Sequence, residues 1–174
     1  MIQVIADATL LRYLIAIEVV DVLPVLFGQI MAPPAVIHDL QHINTPAPVR
    51  TWIASLPPWV VVQAPHSAVD PDLSRVGAGE REAILLAHEP QPALLVTDDR
   101  RARRVAEACG LRVVGTIWVL ERATERGLVD LPPTLTRLLT TNIRLHPNVI
   151  QTVLARDAAR KASAQEEFAA PQGT

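Results

Sequence analysis

Five acidic residues stand at positions in this sequence from which carboxylates can carry out chemistry: Asp7, Asp39, Glu80, Asp98 and Asp99. Asp7 and the pair Asp98–Asp99 each come at the end of a short apolar run, whereas Asp39 and Glu80 lie in segments with helical spacing. Carboxylate oxygens are the ligands that Mg²⁺ and Mn²⁺ prefer. Such ions activate water and assist displacement at phosphorus, so these residue types indicate phosphoryl chemistry.

The elements that must position these acids alternate between strands and helices. Short apolar runs with β-branched members predict strands buried on both faces. The predicted strands cover Ile2–Ala6, Ile30–Ala32, Trp59–Gln63, Ala93–Val96 and Leu111–Gly115. The segments between and after them have helical spacing, apart from a long loop over Ala64–Gly79. The sequence therefore predicts an α/β fold with a central, mostly parallel sheet, in which ligands bind at the carboxyl ends of the strands.

Electrostatic repulsion limits how these acids can be arranged. Carboxylates brought to about 5 Å repel one another by roughly 3 kcal/mol per pair at an effective dielectric constant near 20. Several such pairs would remove much of a typical stability of about 5–15 kcal/mol. The acids are therefore either scattered over the molecule or neutralised by a cation.

A basic segment follows the pair Asp98–Asp99 directly. Four arginines, Arg100, Arg101, Arg103 and Arg104, begin a predicted helix, and one acid of the pair is expected to cap that helix while the other serves as a ligand. The arginines form either a solvated helix face or a surface that holds substrate phosphates. Thr9, two residues after Asp7, is able to cap the first helix or to hold a water molecule. Thr116 is expected to cap the helix that follows the strand over Leu111–Gly115.

Composition sets further bounds on the class of protein. Apolar residues make up 49% of 174 residues and the net charge is −2, so we expect one globular domain without an overall basic field. The single cysteine, Cys109, fits a reducing compartment, which indicates a cytoplasmic protein. We expect neither a signal peptide nor a membrane span. The domain is predicted to cover residues 1–160, followed by a disordered polar tail over 161–174.

Four motifs occur together in an order that resembles the PIN-domain family, in particular its prokaryotic branch related to VapC-type toxin ribonucleases. They are IADAT at Ile5–Thr9, PPAVIHDL at Pro33–Leu40, GEREAI at Gly79–Ile84 and TDDRRARR at Thr97–Arg104. The resemblance implies a three-layer α/β/α sandwich and an endoribonuclease centre that uses Mg²⁺ or Mn²⁺. It also implies an RNA substrate and, for a toxin, a small antitoxin protein as partner.

The resemblance assigns roles to individual residues. Asp7 matches the first metal-binding acid, and Glu80 matches the acid that opens the helix after the long loop. Asp39 stands where the family usually has Glu, which is one methylene longer. Asp98 and Asp99 both match the last acid. The residues expected to contact substrate are Thr9, Arg101 and Arg104.

Two other functions compete with a toxin ribonuclease. The change at Asp39 motivates a catalytically weak or inactive PIN-like module that binds RNA or a protein partner. Paired acids near a strand end also occur in phospho-accepting receiver domains, but the only lysine, Lys161, is not at a late strand end as such a domain requires. Finally, the two apolar helices predicted within Leu10–Phe27 indicate a homodimer.

Overall fold

A five-stranded sheet, parallel throughout, forms the centre of the computed structural model, which describes residues 2–66, 71–89 and 93–169. The strands are β1 (Gln3–Ala6), β2 (Ile30–Ala32), β3 (Val60–Val62), β4 (Ala93–Val96) and β5 (Arg112–Val114). They lie in the order β3-β2-β1-β4-β5, so β1 is the central strand. Receiver domains have the order 2-1-3-4-5. The phospho-accepting alternative is therefore wrong.

Helices cover both faces of the sheet and complete three layers. They are α1 (Ala8–Ala16), α2 (Val22–Phe27), α3 (Pro34–Gln41), α4 (Ala47–Ile53), α5 (Ala78–His88), α6 (Arg100–Ala108), α7 (Thr116–Glu125), α8 (Leu131–Leu139) and α9 (Pro147–Ala169). Alternate residues of β1 point to opposite faces. Val4 and Ala6 join one core with α1–α4, α7 and α8, whereas Ile5 joins a second core with α5 and α6. The predicted α/β/α sandwich is confirmed.

The strand register brings three chain segments level at one edge of the sheet. Ala6 pairs with Val96 of β4, and Val96 in turn pairs with Val114 of β5. The next residue of each strand is Asp7, Thr97 or Gly115, and the backbone amides of the first two still bond to the neighbouring strand. The carboxyl ends of the three strands therefore present their following residues side by side.

Two predicted helix caps differ from the observed ones. Asp7, not Thr9, is the N-cap of α1, and its side chain accepts the capping hydrogen bonds. An N-cap aspartate satisfies amide groups that the first helical turn leaves without partners. Gly115 rather than Thr116 is the N-cap of α7. In both cases the cap is the first residue after the strand, because the chain turns into the helix without an intervening loop.

The predicted loop over 64–79 and the predicted tail also contain regular structure. A 3₁₀ segment covers Pro71–Arg75, and α5 already begins at Ala78; residues 67–70 lie outside the described part. The expected disordered tail over 161–174 is helical as far as Ala169, and residues 170–174 lie outside the described part. This segment is rich in Ala, Glu and Gln, which have high helix propensity. Lys161 also bonds to Asp157 one helical turn earlier and to Asp130 at the start of α8.

The apolar helices that motivated a homodimer pack mainly inward. Leu10, Leu11, Leu14 and Leu23 are fully buried in the larger core. Val25 of α2 is 53% exposed, beside the half-buried Phe27. The outward apolar surface of these helices is therefore confined to part of α2. Among the described residues, no helix is both long enough and apolar enough to cross a membrane.

Candidate active site

Asp7 lies at the carboxyl end of the central strand, and both oxygens of its carboxylate accept hydrogen bonds from neighbouring groups. Its Oδ1 atom accepts hydrogen bonds from the amide of Thr9 at 2.5 Å, from the Thr9 hydroxyl at 2.6 Å and from the amide of Leu10 at 3.4 Å. Its Oδ2 atom accepts a hydrogen bond from the hydroxyl of Thr97, the residue that follows β4. A helix start and two threonines therefore fix this carboxylate in one orientation.

Burial controls the ionisation of Asp7, whose side chain is 1% exposed. The pKa of Asp7 is raised from 3.8 to about 6, chiefly because burial removes solvation and to a smaller extent because of the negative charge of Asp98. The hydrogen bonds from Thr9 and Thr97 act in the opposite direction because they stabilise the carboxylate. The fold thus holds a carboxylate in a place where its charge is costly, which is a common property of functional sites.

Asp98 is the second acid at this edge of the sheet, and its side chain is partly buried. Its Oδ1 atom accepts a hydrogen bond from the Thr116 amide at 3.0 Å, and its Oδ2 atom accepts one from the Thr116 hydroxyl. Burial raises the pKa of Asp98, while these hydrogen bonds and the nearby Arg103 guanidinium oppose the rise. Gly115 lies so close that a Cβ atom there would be 2.6 Å from Oδ1 of Asp98. The side chain of Asp98 occupies the space that this missing Cβ leaves.

A hydrogen-bond network joins the two acids. The amide of Asp98 donates to the Thr9 hydroxyl at 3.0 Å, and that hydroxyl donates to Asp7. On the other side, the amide of Asp99 donates to the Thr97 hydroxyl at 3.1 Å, and Thr97 donates to Asp7. Each threonine hydroxyl therefore donates its single proton to Asp7 and accepts a hydrogen bond from a backbone amide of the turn after β4.

The structure separates the roles of the two adjacent aspartates. Asp99 is the N-cap of α6, and its Oδ1 atom accepts from the amides of Arg101 at 2.9 Å and Ala102 at 2.7 Å. Asp98 makes no such cap and points to Thr116. The prediction that one of the pair caps the helix is confirmed, and Asp98 is left as the acid that faces the interior of the site.

Glu80 stands in the first turn of α5, on the far side of α6. Its carboxylate folds back against Gly77, the N-cap residue three positions earlier. Glu80 shares a cavity with Asp99 and the arginines that begin α6. Its negative charge at a helix N-terminus also has the favourable sign for the helix dipole.

Asp39 lies on the exposed side of α3, where it meets the start of α5. A Cβ atom on Gly79 would be 2.6 Å from its Oδ2 atom, so the missing side chain of Gly79 makes room for this carboxylate. The cavity that Asp39 lines also contains Arg12 and His42, but none of the other four candidate acids. Asp39 is therefore near the site but in a different cavity.

The structure thus links Asp7 and Asp98 through the Thr9 hydroxyl, with Asp99 one residue further along the chain and Glu80 across a shared cavity. Within residues 2–66, 71–89 and 93–169, no three acidic, histidine or cysteine side chains are spaced to hold one metal ion. Proteins usually bind Mg²⁺ through one or two carboxylates together with water and substrate phosphates. Both carboxylate oxygens of Asp98 and the Oδ2 atom of Asp7 each accept one hydrogen bond from the described residues, which leaves each of them acceptor capacity. The donor set of Asp7 and Asp98 therefore fits a hard divalent cation.

Two cavities open on either side of the N-terminus of α6. The first, which we call the connection-side cavity, has a volume of about 420 Å³ and is lined by Thr9, Asp98, Arg103 and the α8–α9 connection, including Asn142 and Arg144. The second, the loop-side cavity, has a volume of about 500 Å³ and is lined by Glu80, Arg75, Arg101 and Arg104. Asp99 and Arg100 line both. The exposed side chains at the start of α6 therefore face concave surfaces on both sides.

Several residues at this site were missed by sequence reasoning. Thr97 donates a hydrogen bond to Asp7 and Thr116 donates one to Asp98. Thr97 directly follows β4 and Thr116 begins α7, so the sequence itself places both threonines beside a strand end. Arg103 points inward and donates to the carbonyl oxygens of Thr97 and Val113. Arg144 could not be predicted as a site residue in the same way, because the segment after α8 carries no sequence motif that places it beside the sheet.

A family profile described as a PIN domain matches residues 3–158 of this chain. The match covers β1 to most of α9 and includes all five candidate acids. It gives the fold family and does not confirm the VapC-type branch. None of the curated proteins compared with this chain matches it significantly in sequence.

Proposed function

Since this chain belongs to the PIN-domain family, which has a nuclease fold, we propose that it is an endoribonuclease that depends on Mg²⁺ or Mn²⁺. One observation carries the proposal. The buried Asp7 and the partly buried Asp98 lie at the ends of adjacent central strands, and Asp98 lines an arginine-bearing cavity. Ligands bind at this edge in open parallel sheets. RNA supplies the phosphodiester bond that such a site would hydrolyse.

Asp7 and Asp98 would hold the metal ion. Glu80, Asp99 and Asp39 would act on the ion through intervening water molecules. A bound Mg²⁺ or Mn²⁺ ion supplies an activated water and neutralises developing negative charge on the phosphate. The protein supplies fixed geometry: Thr9 and Thr97 orient one carboxylate, and Thr116 orients the other. Thr9, Arg101 and Arg104 line the two cavities and are proposed to contact substrate.

Metal-dependent cleavage of RNA is the direct test. We expect the purified protein to cleave single-stranded RNA in the presence of Mg²⁺ or Mn²⁺. Cleavage should stop when the ion is chelated. Asp98→Asn should lose cleavage because the amide carries no charge for the cation, whereas the exposed Asp21→Asn should cleave like the parent. Cleavage that persists in chelator, or an Asp98→Asn variant as active as Asp21→Asn, would contradict the proposal.

A specific observation also favours the second candidate, a catalytically weak or inactive module that binds RNA or a protein. Asp39 is shorter than the Glu usual at its place and lines a cavity apart from the other acids. If the protein binds RNA but proves inert with each divalent ion tried, this function replaces the first. We further propose that an active enzyme would be the toxin of a type II pair; a small antitoxin gene beside its own gene would support that role.

We also propose that the protein forms a homodimer, through the exposed part of α2. Val25 is exposed there, and Phe27 stacks on Trp118 of α7 with ring centroids 6.4 Å apart. Light scattering should give twice the monomer mass, and Val25→Glu should shift the population to monomer because it places a charge in an apolar contact. A parent protein that scatters as a monomer at all working concentrations would show that this prediction is wrong.

A further inference from the structure

The two cavities beside α6 form one continuous surface. Asp99 and Arg100 belong to both, so the N-terminus of α6 is a shared border rather than a wall between separate sites. Asp98 lies on one side of this border and Glu80 on the other. A ligand that spans both cavities would pass directly over the acids of the candidate active site.

The net charge of this surface is positive, whereas the net charge of the whole chain is negative. The lining of the two cavities contains six arginines, Arg75, Arg100, Arg101, Arg103, Arg104 and Arg144, against three acids, Glu80, Asp98 and Asp99. The chain as a whole has a net charge of −2. The excess of positive charge is therefore local, and it suits a polyanion whose phosphates follow one another along the surface.

The shape of the surface favours a single strand. The two volumes, about 420 Å³ and about 500 Å³, are in the range of small-ligand pockets, so each concave surface can hold a single unstacked nucleotide. Single-stranded RNA can turn its bases out of the stack, where amide groups and guanidinium planes contact them. Asn142 offers such an amide at the connection-side cavity.

The outermost positive charges come from two segments that sequence reasoning did not assign to the site. Arg144 lies on the α8–α9 connection and is exposed. Arg75 ends the 3₁₀ segment, and its carbonyl oxygen accepts a hydrogen bond from Arg101 Nη1 at 3.2 Å. This bond ties the 3₁₀ segment to α6 through its backbone and leaves the exposed Arg75 guanidinium available.

We propose that one RNA strand crosses the N-terminus of α6, with Arg144 binding its phosphates in the connection-side cavity and Arg75 binding them in the loop-side cavity. This inference rests on the proposed function for its choice of RNA. It adds two substrate-binding residues and a strand path, and it requires the substrate to be single-stranded where it is bound.

The test measures binding without catalysis. A fluorescein-labelled oligouridylate of about 12 nucleotides, within the usual range of single-strand sites, is titrated with protein in chelator. We expect Arg75→Ala and Arg144→Ala each to weaken binding roughly two- to fivefold, and the double variant to combine both losses. Each should lower the dependence of log K on log salt by about 0.7. Arg75→Lys and Arg144→Lys should restore much of the affinity, because the charge returns.

Arg137→Ala is the matched control, since Arg137 is an exposed arginine of α8 outside both cavities. It should bind the oligomer like the parent. The same oligouridylate annealed to oligoadenylate should bind more weakly than the single strand. Parent-like binding by the Arg75 and Arg144 variants, or a duplex that binds as tightly as the single strand, would overturn the strand path.

The binding and cleavage experiments distinguish failure of the strand path from failure of the proposed function. If binding follows the expected pattern but no divalent ion gives cleavage, the ribonuclease proposal fails and the path stands. If RNA is cleaved but the Arg75 and Arg144 variants bind and cleave like Arg137→Ala, the path fails and the ribonuclease proposal stands.

Discussion

Asp7→Asn is expected to reduce RNA cleavage by roughly 10²–10³-fold while leaving the fold intact. Asn preserves the shape of the side chain and its carbonyl oxygen can still cap α1, but the negative charge that would hold a cation is lost. Asp7 follows the central strand and is 1% exposed, so other groups cannot readily take its place. Cleavage rates at saturating Mg²⁺ or Mn²⁺ measure the effect, with Asp21→Asn as the matched exposed control.

Thermal unfolding in chelator provides the control for folding. The pKa of Asp7 is raised by burial from 3.8 to about 6, so between these pH values the unfolded chain releases this proton before the native protein does. The contribution of Asp7 to the free energy of unfolding therefore falls as pH rises through this window, by about 3 kcal/mol in total. Asn cannot ionise and avoids this cost. We expect Asp7→Asn to melt higher than the parent at pH 7, with the gain shrinking toward pH 4.

Two results would contradict this account of Asp7. A variant that cleaves RNA as fast as the parent would remove Asp7 from the catalytic machinery. A variant that melts at a lower temperature than the parent at pH 7 would mean that the ionised carboxylate stabilises the fold through its bonds to Thr9 and Thr97, more than burial destabilises it.

Gly115→Ala is expected to lower cleavage by about 10²-fold without changing any acid. The added Cβ would lie 2.6 Å from Oδ1 of Asp98 and 3.2 Å from Arg103 Nη2, so the carboxylate must move. Gly115 has φ −117 and ψ 178, an extended backbone that alanine adopts freely, so the effect is steric. A displacement of this kind at a reacting centre is costly in rate. Steady-state kinetics and melting temperature together separate lost activity from lost folding.

Gly110→Ala is the matched control for this substitution. Gly110 has φ +77 and no heavy atom within 4 Å of an added Cβ, so alanine there strains the backbone but touches nothing. It should lower stability by about 1 kcal/mol and leave the cleavage rate of the folded protein unchanged. If Gly115→Ala keeps the parent's rate while Gly110→Ala behaves as expected, the position of Asp98 is not critical to the reaction.

Local pattern in the sequence determined the elements and the acids that end them. Buried strands produce apolar runs. Asp7 follows one such run directly and Asp98 follows another after Thr97, so their place at the strand ends followed from the pattern alone. The four motifs also indicated the family that the match over residues 3–158 confirms. The sequence also predicted that one residue of the pair Asp98–Asp99 caps α6, because a helix needs an N-cap and the pair directly precedes this helix.

Only the tertiary structure decided which acids meet and what surrounds them. Asp98 rather than Asp99 faces inward because parallel register places Gly115 and Thr116 of the neighbouring strand end beside it. Asp39 belongs to a separate cavity because α3 packs across the start of α5, an arrangement set by side-chain packing between helices distant in sequence. Arg144 and Arg75 reach the site from segments that are distant from each other in sequence. Such proximity depends on long-range packing, which residue spacing along the chain does not encode.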